Sequence, residues 1–277
     1  MSLAEDIKNL REKTGAGLMD CKNALAACNG DIDAAVTELR KKGLAGMAKR
    51  AGRETKEGQV VVKNNGKNYA MSFLGCETDF VARTDDFKKL AQDVCEYVLN
   101  NPGLNYDEDQ KIKDIIAEVA PKLGENVSLK GAYNWEVSGK CGVIETYVHS
   151  DNKKAAMIEV TCDGEGACCN SDKVKEIARG LAMHAVGMQS MWLDESEVPA
   201  DVIEKETEIY KELALKEGKD EASIEKMMPG KIKKFAKDNC LLEQGTIKDN
   251  KVTVRQYLAD CSKDLGFNLK IVRFVRF

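Results

Sequence analysis

The sequence predicts an α+β fold on three observations. The first forty-odd of its 277 residues carry apolar side chains at helical spacing. Two later segments switch from strand-like alternation to a single helical stripe, and a charged stretch before the C-terminal end has helical periodicity. With 43% hydrophobic and 32% charged residues the chain can bury a substantial core, and its length suggests two or more units of roughly 100 to 200 residues each.

Residues 1–43 predict a three-helix domain. Ser2 and Glu5 form a capping box ahead of Leu3, Ile7 and Leu10, and Thr14-Gly15 closes that helix. Leu18, Cys21, Leu25 and Cys28 mark a second helix that ends at Asn29-Gly30. Asp31 caps a third, with Ile32, Ala35, Val36 and Leu39 on one face. Residues 44–57 lie in a glycine-rich basic stretch, Arg40 to Gly58, where seven Lys or Arg face only Glu54 and Glu57. Single-strand nucleic-acid binders interleave stacking aromatics with such charge, and this stretch has none, so it reads as a solvated linker.

Residues 58–140 form a first core half. Val60-Val61-Val62 and Tyr69 to Leu74 flank Asn64-Asn65-Gly66, the signal for a hairpin with a type I′ turn, and Phe87, Leu90, Ala91, Val94 and Val98 give the helix that covers it. A second half, 141–198 and 240–277, repeats the arrangement. Gly142 to His149 and Ala155 to Cys162 make the hairpin, and Val174, Ile177, Ala178, Leu181, Ala182 and Ala185 make the stripe. Gly58 matches Gly142, Cys76 matches Cys162 and Leu90 matches Ile177, an internal duplication with an offset in the mid-eighties. Residues 199–239 predict two charged helices joined near Gly218, an antiparallel arm. After it a Thr253/Gln256 capping box opens a helix that Gly266 ends, and Leu269 to Phe277 alternates as a strand returning to the second sheet.

Composition excludes several functions. Forty-two basic against forty-six acidic side chains give a net charge of −4, without the positive field that nucleic-acid binding needs, so no direct nucleic-acid partner is expected. No apolar run approaches the roughly 18 residues that span a bilayer, and the acidic start lacks both a secretory n-region and an arginine-rich transit pattern; no membrane partner and a cytoplasmic location are expected. The ten cysteines are scattered without C-x-x-C and read as reduced structural thiols, and only His149 and His184 could join them on zinc, so no metal or other cofactor is expected. A thiol enzyme using Cys168 or Cys169 would need one of those histidines as base. No G-x-x-x-x-G-K-[ST] occurs, which removes a nucleotide enzyme of the phosphate-loop type.

The segment "GCETDFVARTDDF", residues 75–87, places Phe80 on a turn between a strand and a helix. Two readings are open from the residues alone: Thr78 or Asp79 caps a first turn while Phe80 folds back on Leu90 or Phe73, or Phe80 faces a partner. The duplicated corner bears on the choice. There "CETDF" has become "CDGEG", and scaffold residues repeat where grafted sites need not. Of Leu18 and Met19, adjacent on a short helix, one is expected to face the core and the other a partner.

"LREKTGAGLMDCKNAL" at 10–25, "NGDIDAAVTELRKKG" at 29–43, "CETDFVA" at 76–82, "YVH" at 147–149, "LAMHA" at 181–185 and "PGKIKKF" at 229–235 resemble the translation elongation factor Ts family, in order and over almost the whole chain. The resemblance implies a ubiquitin-associated-like bundle, two similar α/β halves and a projecting helical hairpin arm; self-association through that arm is left open by the sequence. It implies a guanine-nucleotide exchange factor for elongation factor Tu, with no bond-making chemistry of its own. By the same resemblance Thr78, Asp79, Phe80 and Val81 disturb the magnesium site of that GTPase. Arg11, Leu18 and Met19 touch its nucleotide domain, and His149 lies near its phosphate loop. A binding module of another class and a thiol-dependent enzyme are the alternatives.

Overall fold

A computed structural model describes residues 3–139, 141–163 and 171–277. The fold is α+β, in two compact units, Met1–Trp135 and Glu136–Phe277. Ser2, Cys168, Cys169 and Gly164-Glu165-Gly166, the last three residues of the "CDGEG" corner, lie outside the described residues.

The first unit opens with α1 (Leu3–Thr14), α2 (Leu18–Ala27) and α3 (Ile32–Arg50), which enclose Leu10, Cys21, Ala24, Leu25, Ala35 and Leu39. Asp31 caps α3 by accepting from the N–H groups of Asp33 and Ala34 at 2.9 and 3.0 Å. The linker reading fails over part of its length, because α3 continues through residues 44–50. Ala, Leu, Met and Lys there are strong helix formers, which offsets the cost of Gly43 and Gly46.

The sheet of this unit has the order β1-β2-β3, from Glu57–Asn64, Asn68–Cys76 and Val127–Glu136. Strands β1 and β2 pair antiparallel, with Val60 opposite Phe73 and Glu57 opposite Cys76. Their turn is not type I′, which needs positive φ at both central residues: Gly66 has φ 85°, but Asn65 is not among the positive-φ residues. Instead the Asn65 side chain accepts from the N–H groups of Lys67 and Asn68, an Asx turn that satisfies the loop locally. Helix α5 (Asp85–Asn100) buries Phe87, Leu90, Ala91, Val94 and Val98, the stripe read from the sequence, together with Cys95 and Leu99. It packs with α6 (Gln110–Leu123), which ends at Gly124 in the left-handed conformation, φ 73°.

The second unit repeats this plan. Strands β4 (Gly142–Val148), β5 (Ala155–Cys162) and β6 (Leu269–Arg276) form a sheet in that order, with β5 central and antiparallel to both neighbours. Helix α7 (Asp172–Gly187) covers it, and α10 (Val254–Leu265) ends at Gly266, φ 78°, in the same left-handed cap as Gly124. Each unit therefore runs hairpin, helix, helix, glycine cap, strand, a fuller duplication than hairpin and stripe alone suggest. Of the Thr253/Gln256 capping box only one bond forms: Thr253 Oγ1 accepts from Gln256 N–H, while the Gln256 amide donates to Asp260.

Between α7 and α10 the second unit inserts the helical hairpin, α8 (Ala200–Lys216) and α9 (Glu221–Asn239). Ala214, Ile224 and Met228 are buried between them, and Lys231 Nζ lies 5.6 Å from the centre of the Tyr210 ring. At its base Gln244 is fully buried; its amide nitrogen donates to the carbonyls of Met188 and Asp238, and its oxygen accepts from Ser190 Oγ at 2.6 Å.

Candidate functional site at the corner between β2 and α5

Strand β2 ends at Cys76, and nine residues later α5 begins. Between them the chain makes one helical turn, α4 (Asp79–Ala82). Thr78 is its N-cap, with Oγ1 accepting from Val81 N–H at 3.4 Å, and Thr84 then caps α5. The capping alternative for Thr78 thus holds, and the alternative that folds Phe80 onto the core does not. Phe80 is 80% exposed, the most exposed large apolar side chain among the described residues. Its neighbours explain why. Ala82 is buried and Val81 half-buried against the cluster of Phe87, Leu90 and Val94, so on a single turn Phe80 is left on the opposite side, towards solvent.

The turn is held from several directions. Gln59, on β1, donates its side-chain amide to the Ala82 carbonyl at 2.7 Å, and the Cys76 thiol donates to the Thr78 carbonyl at 3.2 Å. Asp79 pairs with Arg83 at 3.0 Å, one helical turn on, where its carboxylate also favours the helix N-terminus. Residues not singled out in the sequence add the firmest contacts. Glu125, just after the Gly124 cap, accepts from the N–H groups of Glu77 and Thr78 at 3.0 and 2.9 Å and from the Thr78 hydroxyl at 2.5 Å. Asn126 N–H donates to Glu77 at 2.6 Å, and its side chain donates to the Arg53 carbonyl at 2.7 Å. The available signal was Gly124, a C-cap glycine whose helix, interrupted by Pro121, was not read from the sequence.

The other expected contact residues fall in two places. Arg11, on α1, and both Leu18 and Met19, in the first turn of α2, are exposed, the latter two at 55% and 61%. The expectation that one of that pair faces the core is corrected, because Cys21, Ala24 and Leu25 already fill the inner face of α2. His149 belongs to the second unit. It follows β4, is half-buried, and has Nδ1 3.0 Å from Asp151 Oδ1. The Lys153 N–H, and then His149, hold the Asp151 carboxyl below its ordinary range. His184, at the edge of the second stripe, is a buried core histidine, with Nε2 3.2 Å from Gln244 Oε1.

Three of the described thiols are ill suited to nucleophilic chemistry. Burial pushes the Cys76 thiol up to about 12 and those of Cys95 and Cys240 to about 11, away from the thiolate that a nucleophile needs. The reading of all ten thiols as reduced is corrected at Cys141, which is disulfide-bonded. Among the described residues no group of three His, Cys, Asp or Glu is placed to hold a metal ion, and no helix is long and apolar enough to cross a membrane.

Comparison with known proteins adds an independent line. A family model described as "Elongation factor TS" matches residues 77–277. A protein of Clostridium acetobutylicum named elongation factor Ts is 39% identical over 288 aligned residues, covering all of this chain and 92% of the relative. One of the same name from Nitratidesulfovibrio vulgaris is 42% identical over 276 residues, covering 99% of this chain and 94% of the relative.

Proposed function

Because the chain belongs to the elongation factor Ts family, and is thereby a translation elongation factor, we propose that it is a guanine-nucleotide exchange factor acting on elongation factor Tu in the cytoplasm. The observation that carries the reading is Phe80: at 80% exposure on a braced turn, the ring adds little to the monomer's core and is free for a partner to bury. Burying it in a partner would release roughly 1.5 to 3 kcal/mol, free energy available for separating elements of the GTPase. The target that suits so small a wedge is a magnesium site. Magnesium bridges phosphate oxygens and protein hydroxyls with near-ideal octahedral demands, so a slight displacement of its ligands weakens nucleotide binding.

Thr78, Asp79 and Val81 would carry Phe80 into that site, Arg11, Leu18 and Met19 would hold the nucleotide domain, and His149 would approach the phosphate loop. The protein makes and breaks no bond. Coupling between two ligands of one protein is reciprocal, so the factor that loosens nucleotide is itself loosened when fresh nucleotide binds. The test is to mix the protein with the cognate GTPase loaded with fluorescent GDP and follow release by stopped flow. Release accelerated in proportion to added protein supports the reading, and a rate equal to spontaneous dissociation at saturating protein ends it.

A further inference from the structure

We propose that Glu125 is the positioning residue of the exchange turn, a carboxylate that fixes the direction in which Phe80 is presented; the proposal rests on the exchange reading above. Its warrant is a comparison of the two copies within this chain. Both units end their second hairpin strand in a cysteine followed by an acid, Cys76-Glu77 and Cys162-Asp163, and both end their second helix in a left-handed glycine followed two residues later by asparagine, Gly124…Asn126 and Gly266…Asn268. In both, that asparagine N–H donates to that acid: Asn126 to Glu77 at 2.6 Å, Asn268 to Asp163 at 2.7 Å. The asparagine–acid bond is therefore scaffold, repeated because each sheet needs its third strand started in register.

The residue between glycine and asparagine is not repeated. In the second copy it is Phe267, partly buried against that unit's core. In the first copy it is Glu125, which turns to the backbone and hydroxyl of the Glu77-Thr78 segment and accepts three hydrogen bonds there. The exchange of an apolar core side chain for a carboxylate occurs in the copy that carries Phe80. Charge-assisted bonds are about twice as strong as neutral ones, and three on one side chain define an orientation rather than a mere contact. They act on the N-cap residue itself, so the Thr78 hydroxyl is aligned to accept from Val81 N–H, and the whole of α4 is set with it. A helix of one turn has almost no stability of its own, so its direction must come from such outside contacts.

The test compares the wild-type chain with Glu125→Ala and Glu125→Gln. Amide hydrogen exchange in the free protein reads the brace, and stopped-flow GDP release from the GTPase over a range of protein concentrations reads its use. Glu125→Ala should lower protection of the Thr78 amide by about tenfold, the scale of one charge-assisted bond, with the amides of β1 and β2 unchanged. The saturating release rate should fall by about tenfold, while the half-saturating concentration, set by contacts elsewhere, changes by less than about twofold. Glu125→Gln keeps an oxygen for the two N–H groups but loses the acceptor for the hydroxyl, so protection should recover and the rate should settle within about threefold of wild type but below it. Should the alanine variant unfold, the glutamine variant carries the test alone, and a wild-type rate in it overturns the proposal. Unchanged Thr78 protection, or an unchanged saturating rate, in a folded Glu125→Ala also overturns it. If wild type itself releases no GDP, the exchange reading fails, and amide protection still decides whether Glu125 sets the turn.

Discussion

Phe80→Ala separates the wedge from the core with one substitution. At 80% exposure only about a fifth of the ring's area is out of water in the monomer, so truncation forfeits that fraction of a full burial of roughly 1.5 to 3 kcal/mol, about 0.3 to 0.6 kcal/mol. A core phenylalanine would cost about 3 to 5 kcal/mol on the same change. In complex with the GTPase the whole burial is at stake. Its loss should slow exchange by about one to two orders of magnitude, since roughly 1.4 kcal/mol is tenfold. Urea unfolding supplies the first number and stopped-flow release of labelled GDP the second. Stability lowered by several kcal/mol with exchange per folded molecule unchanged would refute the reasoning, because it would return the ring to the core and leave the turn without a function.

Four further outcomes follow from other parts of the molecule. Asp79→Ala, which removes the Arg83 partner and a carboxylate from the α4 N-terminus, should slow exchange, and less than additively with Phe80→Ala because both act on one turn; a fully additive pair contradicts a shared role. Leu18→Ala with Met19→Ala should leave unfolding within about 0.5 kcal/mol of wild type and raise the concentration needed for half-maximal exchange, since both side chains are exposed. Burial holds His184 below the ordinary imidazole range, so the unfolded chain takes up the proton first. Its contribution to stability is full above the unfolded pKa of about 6.5 and falls as pH drops through that value, by at most about 1.4 kcal/mol per pH unit. His184→Gln should flatten this dependence in urea titrations at pH 7.5 and 5.5. Cys76, Cys95 and Cys240, with thiols near 12, 11 and 11, should resist alkylation in the native protein at pH 8 and react on unfolding, and rapid native labelling of Cys76 would contradict its burial.

What could be read from the residues follows from where periodicity exists. The stripes of α5 and α7 bury one face each, and the second hairpin pairs the two runs read from the sequence, Gly142–Val148 with Ala155–Cys162. Strand β3 gave no such signal: of its ten residues only Val127 is buried, so no side of it alternates apolar with polar. Helix α6 was hidden by Pro121 in its last turn, because a proline has no N–H to donate to the carbonyl four residues earlier and so reads as a helix breaker. The candidate turn was legible in its residue types and in the lack of a matching phenylalanine in the sequence of the second corner. The exposure of Phe80 was not, because a single side chain has no period. Nor was the Glu125 brace, a bond between residues 47 apart in sequence that exists only once the third strand is in place.

The two copies also explain why the candidate site takes the form of a single turn. A longer helix at this corner would be stable by itself, but it would move the start of α5, whose stripe must stay in register over the sheet. A floppy loop could carry the same phenylalanine, but each binding event would then pay to order it, and that cost is subtracted from the free energy that separates the partner's elements. One capped turn avoids both. Thr78 and Glu125 fix its beginning, Gln59 holds its last carbonyl, and Val81 and Ala82 seat it on the core, so Phe80 is held out in one direction before any partner arrives. On the proposed reading, nearly all of the ring's burial is then spent in the complex. The reciprocity of coupling then requires that incoming nucleotide, by restoring the magnesium site, recover the same free energy and expel the ring.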